Sequence, residues 1–491
     1  MPDRPSIVLM MSDQHNPHIL GCTGDPLVRT PNLDALAATG VRMSNTYCAH
    51  PLCAPSRAAF LTAQYPSDIE VYDNSGHWSS DVPTFAHALG GAGYEAILCG
   101  RMHLASNDPF HGFERRIHGD TGSAVSKDIL GSGRNRTNGQ TRYAVEVAGY
   151  GKTGFQAFDR SVTDSACDFI TDRSPDDRPF AMVVGWILPH NPLVCEKDRF
   201  DHYFANIPSL EPEPDAYLTE LHPALKIWRE RRGVGTLSPG QCRRALAAYY
   251  GLVEETDTNV GRIVEAVRKS QAAENTVIIY VSDHGDMAHE HGMWWKSNFY
   301  EGSANVPGIL SWPGHISEGA TRDEIVSLID IGPTILDLVG ADPLPDVSGR
   351  SFSTLLQGND ALDWPNEIFC EYSGLLGDQP SCMVRSGRWK LNYYSEFDSC
   401  QLFDLEADPG DRNDLGTHPA HSDRVAELRA RIDTRWSAER IKEGMTRQER
   451  ARRVISDAGH PSHPHAIEAF QASEEGNEFD FDQLEEPPTP M

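Results

Sequence analysis

Short apolar strands alternate with helical segments over the first two thirds of the chain. Each predicted strand is a β-branched or apolar run bounded by Gly, Pro or charged residues, which is typical of a buried strand. The predicted strands are Ser6–Met11, Glu95–Cys99, Phe180–Trp186, Thr276–Val281 and Val306–Ser311. The predicted helices are Asn32–Thr39, Thr84–Gly90, Asp164–Thr171, Gly240–Ser270 and Asp330–Val339. This alternation predicts an α/β fold with a large, mostly parallel sheet flanked by helices on both faces.

The chain changes character in its last third, and we predict a catalytic α/β domain over residues 1–365. Residues 366–416 are rich in strand formers and tight turns, which predicts a small C-terminal antiparallel sheet subdomain. Residues 417–491 begin with a helical stretch, His421–Val454, and end in the acidic arm SEEGNEFDFDQLEEPPTPM. We expect this arm to lie on a partner subunit, so a homodimer or homotetramer is predicted.

The charge of the chain limits its partners. Its 491 residues carry 43 Lys and Arg against 71 Asp and Glu, a net charge of −28. Such a surface repels polyanions and excludes nucleic acid, whereas a small anionic substrate can still bind in a locally basic site. No stretch reaches membrane-spanning length, and the first apolar stretch is too short for a secretion signal. The ten scattered cysteines lack a CxxC pair, which is typical of reduced thiols and predicts a cytoplasmic protein.

Acidic residues follow two of the predicted strands. Asp13 follows SIVLMMS, and Asp283 and His284 follow TVIIYVS. Because active sites of parallel sheets lie beyond the carboxyl ends of the strands, we expect these side chains to converge. Carboxylates and an imidazole suit a divalent cation such as Ca²⁺, Mn²⁺ or Mg²⁺, and Gln14 could add a carbonyl oxygen. For each aspartate alone, the alternative is a cap on the following helix or turn.

Cys53 directly precedes a helical run in the segment HPLCAPSRAAFLTAQ. The N–H groups and dipole of a helix N-terminus favour negative charge, so an anionic substrate group is expected against residue 53. Arg57 lies one helical turn further on and adds a permanent cation, which would activate a thiolate. The pattern alone suits a cysteine phosphatase, but such an enzyme requires a Gly-rich phosphate loop where this chain has Pro55.

The pentapeptide Cys53-Ala54-Pro55-Ser56-Arg57 resembles the C-x-P-S-R signature of the type I sulfatases in the alkaline phosphatase superfamily. The segments SIVLMMSDQ, DHGDMAHEHGMWWKSNFYEGSANVP and QLFDLEADPGDRNDL extend the resemblance over almost the whole chain. The opening Asp-Gln pair, VYDN and KSNFYEGSA resemble the choline sulfatase and phosphonate monoester hydrolase branch. The resemblance implies an alkaline phosphatase-like fold. It also implies that a formylglycine-generating enzyme oxidises Cys53, and that the hydrate of the resulting formylglycine is the nucleophile.

The resemblance also implies a set of metal ligands and catalytic residues. One divalent metal ion would be bound by modified Cys53 together with Asp13, Gln14, Asp283 and His284. The catalytic residues would be Cys53, Arg57, Asn74, Arg101, His103, His190 and Lys296.

Each catalytic residue has an implied role. Arg57 would orient the formylglycine hydrate, and His103 would be the base that breaks the hemiacetal. Lys296 would contact the sulfate oxygens and stabilise charge on the leaving group. Asn74 would donate to the sulfate, and His190 would contact the substrate oxygens or protonate the leaving oxygen.

Arg101 departs from the family, which has a lysine at this position. Arginine keeps the positive charge and adds a planar set of donors, but it cannot deprotonate. We therefore expect Arg101 to stabilise charge and not to transfer a proton.

These residues predict a metal-dependent sulfatase that hydrolyses small aryl or choline-type sulfate monoesters, with promiscuity toward phosphate and phosphonate esters. Two alternatives stay open: a phosphonate or phosphate ester hydrolase on the same scaffold, and a catalytically silent binding protein in which Cys53 stays a thiol. The shared motifs do not predict the alcohol half of the substrate. Glu371, in FCEYSG, is a candidate acid for a choline-type group; the alternative is a strand-end residue that faces solvent.

Overall fold

The computed structural model describes residues 4–76, 78–104, 108–120, 139–359, 363–374 and 380–457. The predicted acidic arm lies outside the described residues. Within these ranges, no helix is both long enough and apolar enough to span a bilayer. All ten cysteines are described, and none forms a disulfide.

The strands of the described residues form three sheets. In chain order they are β1 (Ser6–Asp13), β2 (Val41–Tyr47), β3 (Glu95–Gly100), β4 (Arg115–His118), β5 (Gly149–Tyr150), β6 (Phe180–Pro189), β7 (Val194–Cys195), β8 (Thr276–Ser282), β9 (Asn305–Val306), β10 (Gly308–Ser311), β11 (Ala320–Ser327), β12 (Glu367–Tyr372), β13 (Ser381–Ser386), β14 (Trp389–Tyr394) and β15 (Ser399–Asp404). The main sheet has the order β11-β2-β10-β8-β1-β6-β3-β4, with β9 paired to β2. Strands β12 to β15 form a second sheet, and β5 pairs with β7.

The main sheet is mostly parallel, which confirms the predicted fold class. Its central strand β1 pairs in parallel with β6 and β8, whereas β10 runs antiparallel to β8 and β2. Side chains of β1 alternate between two cores, with Ile7, Leu9 and Met11 on one face and Val8 and Met10 on the other. Burial of both faces explains why this strand is a continuous apolar run in the sequence.

The described residues form fourteen α-helices, and several of them cover the two faces of the main sheet. They are α1 (Pro31–Ala38), α2 (Cys53–Thr62), α3 (Phe85–Gly91), α4 (Arg142–Glu146), α5 (Gly154–Thr171), α6 (Lys197–Asn206), α7 (Asp215–Glu220), α8 (Pro223–Arg232), α9 (Pro239–Lys269), α10 (Glu301–Ala304), α11 (Ile331–Leu338), α12 (Ser353–Leu356), α13 (Ser422–Arg435) and α14 (Ala438–Asp457). Apolar side chains of α2, α3 and α11 pack in the core with Ile7, and those of α1, α5 and α9 pack in the core with Val8.

Several predicted boundaries differ from the structure. The predicted strand Val306–Ser311 is interrupted at Pro307, which has no N–H to donate to the ladder. The predicted helix Asp164–Thr171 begins ten residues earlier, where Thr153 and Gln156 cap its first turn reciprocally.

The C-terminal sheet is a four-stranded antiparallel meander, as predicted. A fully buried lysine of β14, Lys390, fixes it to the main part of the chain. Its Nζ donates to Phe299 O at 2.9 Å and to Glu301 Oε1 at 2.8 Å. The predicted helix His421–Val454 is divided into α13 and α14, because Trp436 adopts an extended backbone between them.

Candidate active site

Two acidic residues meet at the carboxyl edge of the main sheet. Asp13 ends β1, and Asp283 follows β8, its parallel neighbour in register at Ser12 and Ser282. Both aspartates are fully buried, as is His284. The structure thus brings together side chains that lie 270 positions apart in the sequence.

Cys53 is the first residue of α2, and its thiol lies against this acidic pair. Its Sγ is 3.6 Å from Asp13 Oδ1 and 3.3 Å from His284 Nε2. Lys296 Nζ donates to the same sulfur at 3.2 Å. Leu52 has an extended backbone, so the chain enters α2 abruptly and leaves the first helical N–H groups near residue 53.

Two arginines hold the carboxylates in place. Arg57 Nε donates to Asp283 Oδ2 at 2.8 Å, and its Nη2 lies 3.4 Å from Asp13 Oδ2. Arg101 Nε donates to Asp13 Oδ2 at 2.8 Å. Together with Lys296, these side chains give three cations for two carboxylates, so the protein groups favour an anionic ligand.

These charges decide the protonation of Asp13 and Cys53. Burial works to raise the pKa of Asp13, but the charges of Arg101 and Lys296 outweigh it and hold the pKa well below its usual value. Burial and Asp13 raise the pKa of the Cys53 thiol, but Lys296, His284 and a hydrogen bond with His103 lower it well below its usual value. An unmodified Cys53 would therefore be a thiolate in this environment.

Gln14 joins Lys296 to a further acidic residue. Lys296 Nζ donates to Gln14 Oε1 at 2.6 Å, and Gln14 Nε2 donates to Asp286 Oδ2 at 2.6 Å. Asp286 thereby fixes the amide with its oxygen toward Lys296. The sequence analysis missed Asp286, although its position three residues after Asp283 in DHGD was an available signal.

His103 lies beside Cys53 on the segment after β3. The N–H groups of Met102 and His103 donate to Asp120 Oδ2 at 2.9 and 2.7 Å. Arg101 Nη2 donates to His103 Nδ1 at 3.3 Å, which leaves Nε2 to face the sulfur. Asp120 was also missed, and no local pattern in its sequence connects it with His103.

Asn74 and His190 complete the set of predicted residues around Cys53. Asn74 Oδ1 accepts from Ala54 N at 3.0 Å, in the first turn of α2, so its amide nitrogen is left as a donor. His190 Nδ1 donates to Asn191 O at 2.6 Å, and burial and Lys296 lower the pKa of His190 to about 3. Its neutral Nε2 can only accept a hydrogen bond, so proton donation requires that an anion in the site first raises this pKa.

Four non-glycine residues at or next to the site have a left-handed backbone. Gln14, His103, Trp295 and Ser297 have φ values of 72°, 57°, 63° and 69°. Non-glycine residues rarely adopt this left-handed conformation, which costs about 1–3 kcal/mol at sparsely populated positions. Each of these residues either contacts Cys53 or neighbours one that does, as Trp295 and Ser297 flank Lys296.

Glu371 does not face solvent, so that alternative from the sequence is wrong. Its side chain is buried, and it accepts from Ser67 N at 2.9 Å and Ser67 Oγ at 2.8 Å. Arg435 lies 4.0 Å away. These contacts connect β12, which carries Glu371, to the segment that follows α2. They indicate a structural role for Glu371.

The donor atoms of the site fit a divalent cation. Asp13, Cys53, Asp283 and His284 each offer one atom, and these four atoms lie within 4.8 Å of one another. His284 Nδ1 donates to Gly285 O at 3.0 Å, which leaves Nε2 available as a ligand. Two carboxylates, an imidazole and the nearby Gln14 amide oxygen are ligands that Ca²⁺, Mn²⁺ or Mg²⁺ accepts.

Comparison with known proteins relates this chain to several others. Residues 5–341 match the family model described as Sulfatase, and residues 289–437 match the model described as N-sulphoglucosamine sulphohydrolase, C-terminal. The chain is 31% identical to a choline-sulfatase of Rhizobium meliloti, over 92% of this chain and 90% of that protein. It is 29% identical to an arylsulfatase of Clostridium perfringens, over 87% and 93%. The crystal structure of the phosphonate monoester hydrolase of Agrobacterium radiobacter shares the fold, with a TM-score of 0.74 and 22% identity over 88% of this chain and 95% of that one.

Proposed function

This chain belongs to the sulfatase family and is a sulfuric ester hydrolase, and we propose that it acts on small aryl or choline-type sulfate monoesters with formylglycine at position 53. The surroundings of Cys53 carry the proposal. Its sulfur lies at a helix N-terminus, 3.2 Å from Lys296 Nζ and 3.3 Å from His284 Nε2, beside two buried aspartates. The similarity to a choline-sulfatase and an arylsulfatase supports both ester classes.

We propose that a formylglycine-generating enzyme oxidises Cys53 during maturation. The hydrated aldehyde would supply a hydroxyl nucleophile and a second hydroxyl that allows the sulfated residue to be cleared. A serine at this position has only one hydroxyl and could not provide the second. Arg57 would keep the group at position 53 oriented indirectly, because it fixes both carboxylates that lie against it.

Asp13, Gln14, Asp283 and His284 would hold one divalent ion together with modified Cys53. A bound ion of this kind polarises a sulfuryl oxygen and lowers the pKa of a bound hydroxyl group. Arg57 donates to Asp283 and Arg101 donates to Asp13, and these charge-assisted hydrogen bonds orient both carboxylates as ligands.

The sulfate group would bind between Lys296 and the first turn of α2. Lys296 supplies a full positive charge, and Asn74 supplies an amide donor next to Ala54. Donors fixed before the substrate arrives stabilise the charge of the transferring group without reorganisation. His190 would contact the leaving-group oxygen, and His103 would remove the proton that releases sulfate.

Rates on matched esters test this proposal. Enzyme produced with a formylglycine-generating enzyme is expected to hydrolyse p-nitrophenyl sulfate with a higher kcat/KM than p-nitrophenyl phosphate or a p-nitrophenyl phosphonate. The variant Cys53→Ala is the matched control and should have no activity on any of them. A preference for the phosphonate or phosphate would establish the rival hydrolase instead. Protein that keeps Cys53 as a thiol despite a formylglycine-generating enzyme, and that is inactive on all three esters, would favour the silent binding protein. The predicted homodimer or homotetramer stays a prediction.

A further inference from the structure

One arginine beside the active site has no acidic partner in the part of the chain that the structure describes. Arg232 is the last residue of α8, and its guanidinium stacks on Trp228, with Cζ 4.4 Å from the ring centroid. Its Nε and Nη2 donate to Gln140 Oε1 at 3.2 and 2.9 Å. A third hydrogen bond joins it to Tyr372. Three neutral side chains therefore fix this half-buried cation.

Each of these three side chains contacts a residue at or near the active site. Trp228 Nε1 donates to the carbonyl oxygen of Lys296 at 3.2 Å. Gln140 Nε2 donates to the hydroxyl of Ser297, the next residue, at 3.2 Å. The ring of Tyr372 lies 5.5 Å from that of His50, three residues before Cys53. Arg232 therefore contacts three side chains that in turn contact Lys296, Ser297 and His50.

Among the described residues, no counter-charge lies next to Arg232. Arg57 and Arg101 each contact an aspartate, whereas no carboxylate of the described ranges lies within 4.0 Å of Arg232. Burial lowers the pKa of Arg232, as expected for a cation that has lost water without gaining a counter-charge. Within the described residues, Gln140 takes up two of its five N–H donors, so donors remain for a ligand.

We propose that Arg232 binds a second anionic group, carried by the alcohol half of the sulfate ester. This inference rests on the proposed function and narrows its substrate class to esters that bear a carboxylate or a second sulfate. A planar guanidinium suits such oxyanions because it offers paired donors. The quaternary ammonium of a choline-type ester would be repelled, so this class is disfavoured. In a chain of net charge −28, a local cation is also what allows a dianionic substrate to enter.

Two aryl sulfates that differ in one charge test this inference. The substrates are 4-sulfooxybenzoate and its methyl ester, which keeps the sulfate but lacks the carboxylate charge, assayed with the modified, metal-loaded enzyme. We expect kcat/KM to be about tenfold to a hundredfold higher for the carboxylate. A charge-assisted hydrogen bond to a partly buried arginine contributes a binding free energy that corresponds to this factor. The difference should lie mainly in KM, because the second anion is remote from the bond that breaks.

Variants identify the residue responsible. Arg232→Gln should reduce the ratio of the two kcat/KM values at least tenfold, and Arg232→Lys should retain part of it. Arg231→Gln removes an exposed positive charge from the same helical turn and should leave the ratio unchanged. An equal loss of ratio in Arg231→Gln would show only a general charge effect and would overturn the inference.

Inhibition provides a measurement that does not depend on a variant that folds. Wild-type hydrolysis of the methyl ester sulfate should be inhibited at least tenfold more strongly by 4-hydroxybenzoate than by methyl 4-hydroxybenzoate. Equal kcat/KM for the two sulfates together with equal inhibition would overturn the role of Arg232 while leaving the sulfatase proposal intact. Failure to hydrolyse either sulfate, or p-nitrophenyl sulfate, would instead overturn the proposed function.

Discussion

Lys296 Nζ lies 3.2 Å from Cys53 Sγ, and both side chains are buried. The two residues are separated by 243 positions, and packing of the strand ends brings them together. Whatever group occupies position 53 therefore reacts beside the amino group of Lys296. This relationship explains why the site suits an anionic substrate despite the acidity of the whole chain.

Removing the charge at Lys296 should slow catalysis. Lys296→Met is expected to lower kcat/KM for aryl sulfates by about a hundredfold to a thousandfold, because a preorganised group next to the developing charge is lost. The loss should grow along a series of phenols with rising pKa, since poorer leaving groups require more stabilisation. A loss that is uniform along the series would show that Lys296 does not act on the leaving group.

Arg57 should be important for stability as well as activity. Arg57→Met leaves the buried Asp283 carboxylate without its 2.8 Å partner, and breaking such a buried pair costs about 3–5 kcal/mol. Urea unfolding with a chelator present measures the free energy of unfolding. Arg178→Met, which breaks an exposed pair with Glu114, is the control and should cause a much smaller loss. Similar losses in both variants would contradict this account of Arg57.

Removing the metal should abolish activity and reduce stability. Protein dialysed against a chelator is expected to lose esterase activity and to regain it with Ca²⁺, Mn²⁺ or Mg²⁺, as the donor set of Asp13, Asp283 and His284 suggests. An ion at a hundred times its Kd stabilises the folded chain by about 2.7 kcal/mol, which thermal unfolding detects as a higher Tm. Asp13→Asn should abolish this response to metal. Full activity after complete removal of metal would refute the assignment.

Glu371 should make stability depend on pH. Burial, opposed by Arg435 and Ser67, raises the pKa of Glu371 to about 7. A carboxyl group with a raised pKa in the folded chain adds stability below its unfolded pKa, and this stability is lost as pH rises through about 7. From pH 5 to pH 8, wild type should therefore lose about 2–3 kcal/mol relative to Glu371→Gln. Parallel pH profiles of unfolding for the two proteins would show that Glu371 titrates normally.

The helix α14 should help to position Asn74. Arg452 Nη1 lies 3.0 Å from Asp73 Oδ2, and Asp73 directly precedes the residue that accepts from Ala54 N. Arg452→Glu is expected to lower kcat about twofold to tenfold, because a small displacement of a donor weakens catalysis. The double variant Asp73→Arg/Arg452→Asp, which exchanges the two charges, should restore part of the lost kcat. Arg453→Glu is the control, since Arg453 forms an ion pair within its own helix, with Glu449, and with no other carboxylate of the described residues. An equal effect there would exclude a specific role for Arg452.

The sequence predicts those parts of the fold that depend on local pattern. Strand β1 is apolar from Ile7 to Met11 because both of its faces are buried, so its residues alone predict it. Strand β2, with the sequence VRMSNTY, was missed because its polar residues alternate with buried ones and half-exposed positions weaken the signal. The break at Trp436 was missed because the apolar stripe continues across it.

The sequence likewise predicts only those parts of the candidate site that depend on spacing within one segment. Cys53 and Arg57 are one turn apart on α2, so their proximity could be predicted from spacing. Other contacts arise from the packing of separate strands. Arg101 donates to Asp13, and Asp120 accepts a hydrogen bond from the His103 backbone. No pattern within one segment encodes such contacts, so they required the structure.

The state of Cys53 is the most direct test of the central claim. Trypsin releases the peptide of residues 43–57, MSNTYCAHPLCAPSR, in which Cys48 serves as an internal unmodified thiol. Mass spectrometry of preparations made with different amounts of a formylglycine-generating enzyme gives the fraction of Cys53 converted to aldehyde. The account predicts that sulfatase activity rises in proportion to this fraction and is absent when Cys53 is entirely a thiol. Full activity in protein whose Cys53 is unmodified would contradict it.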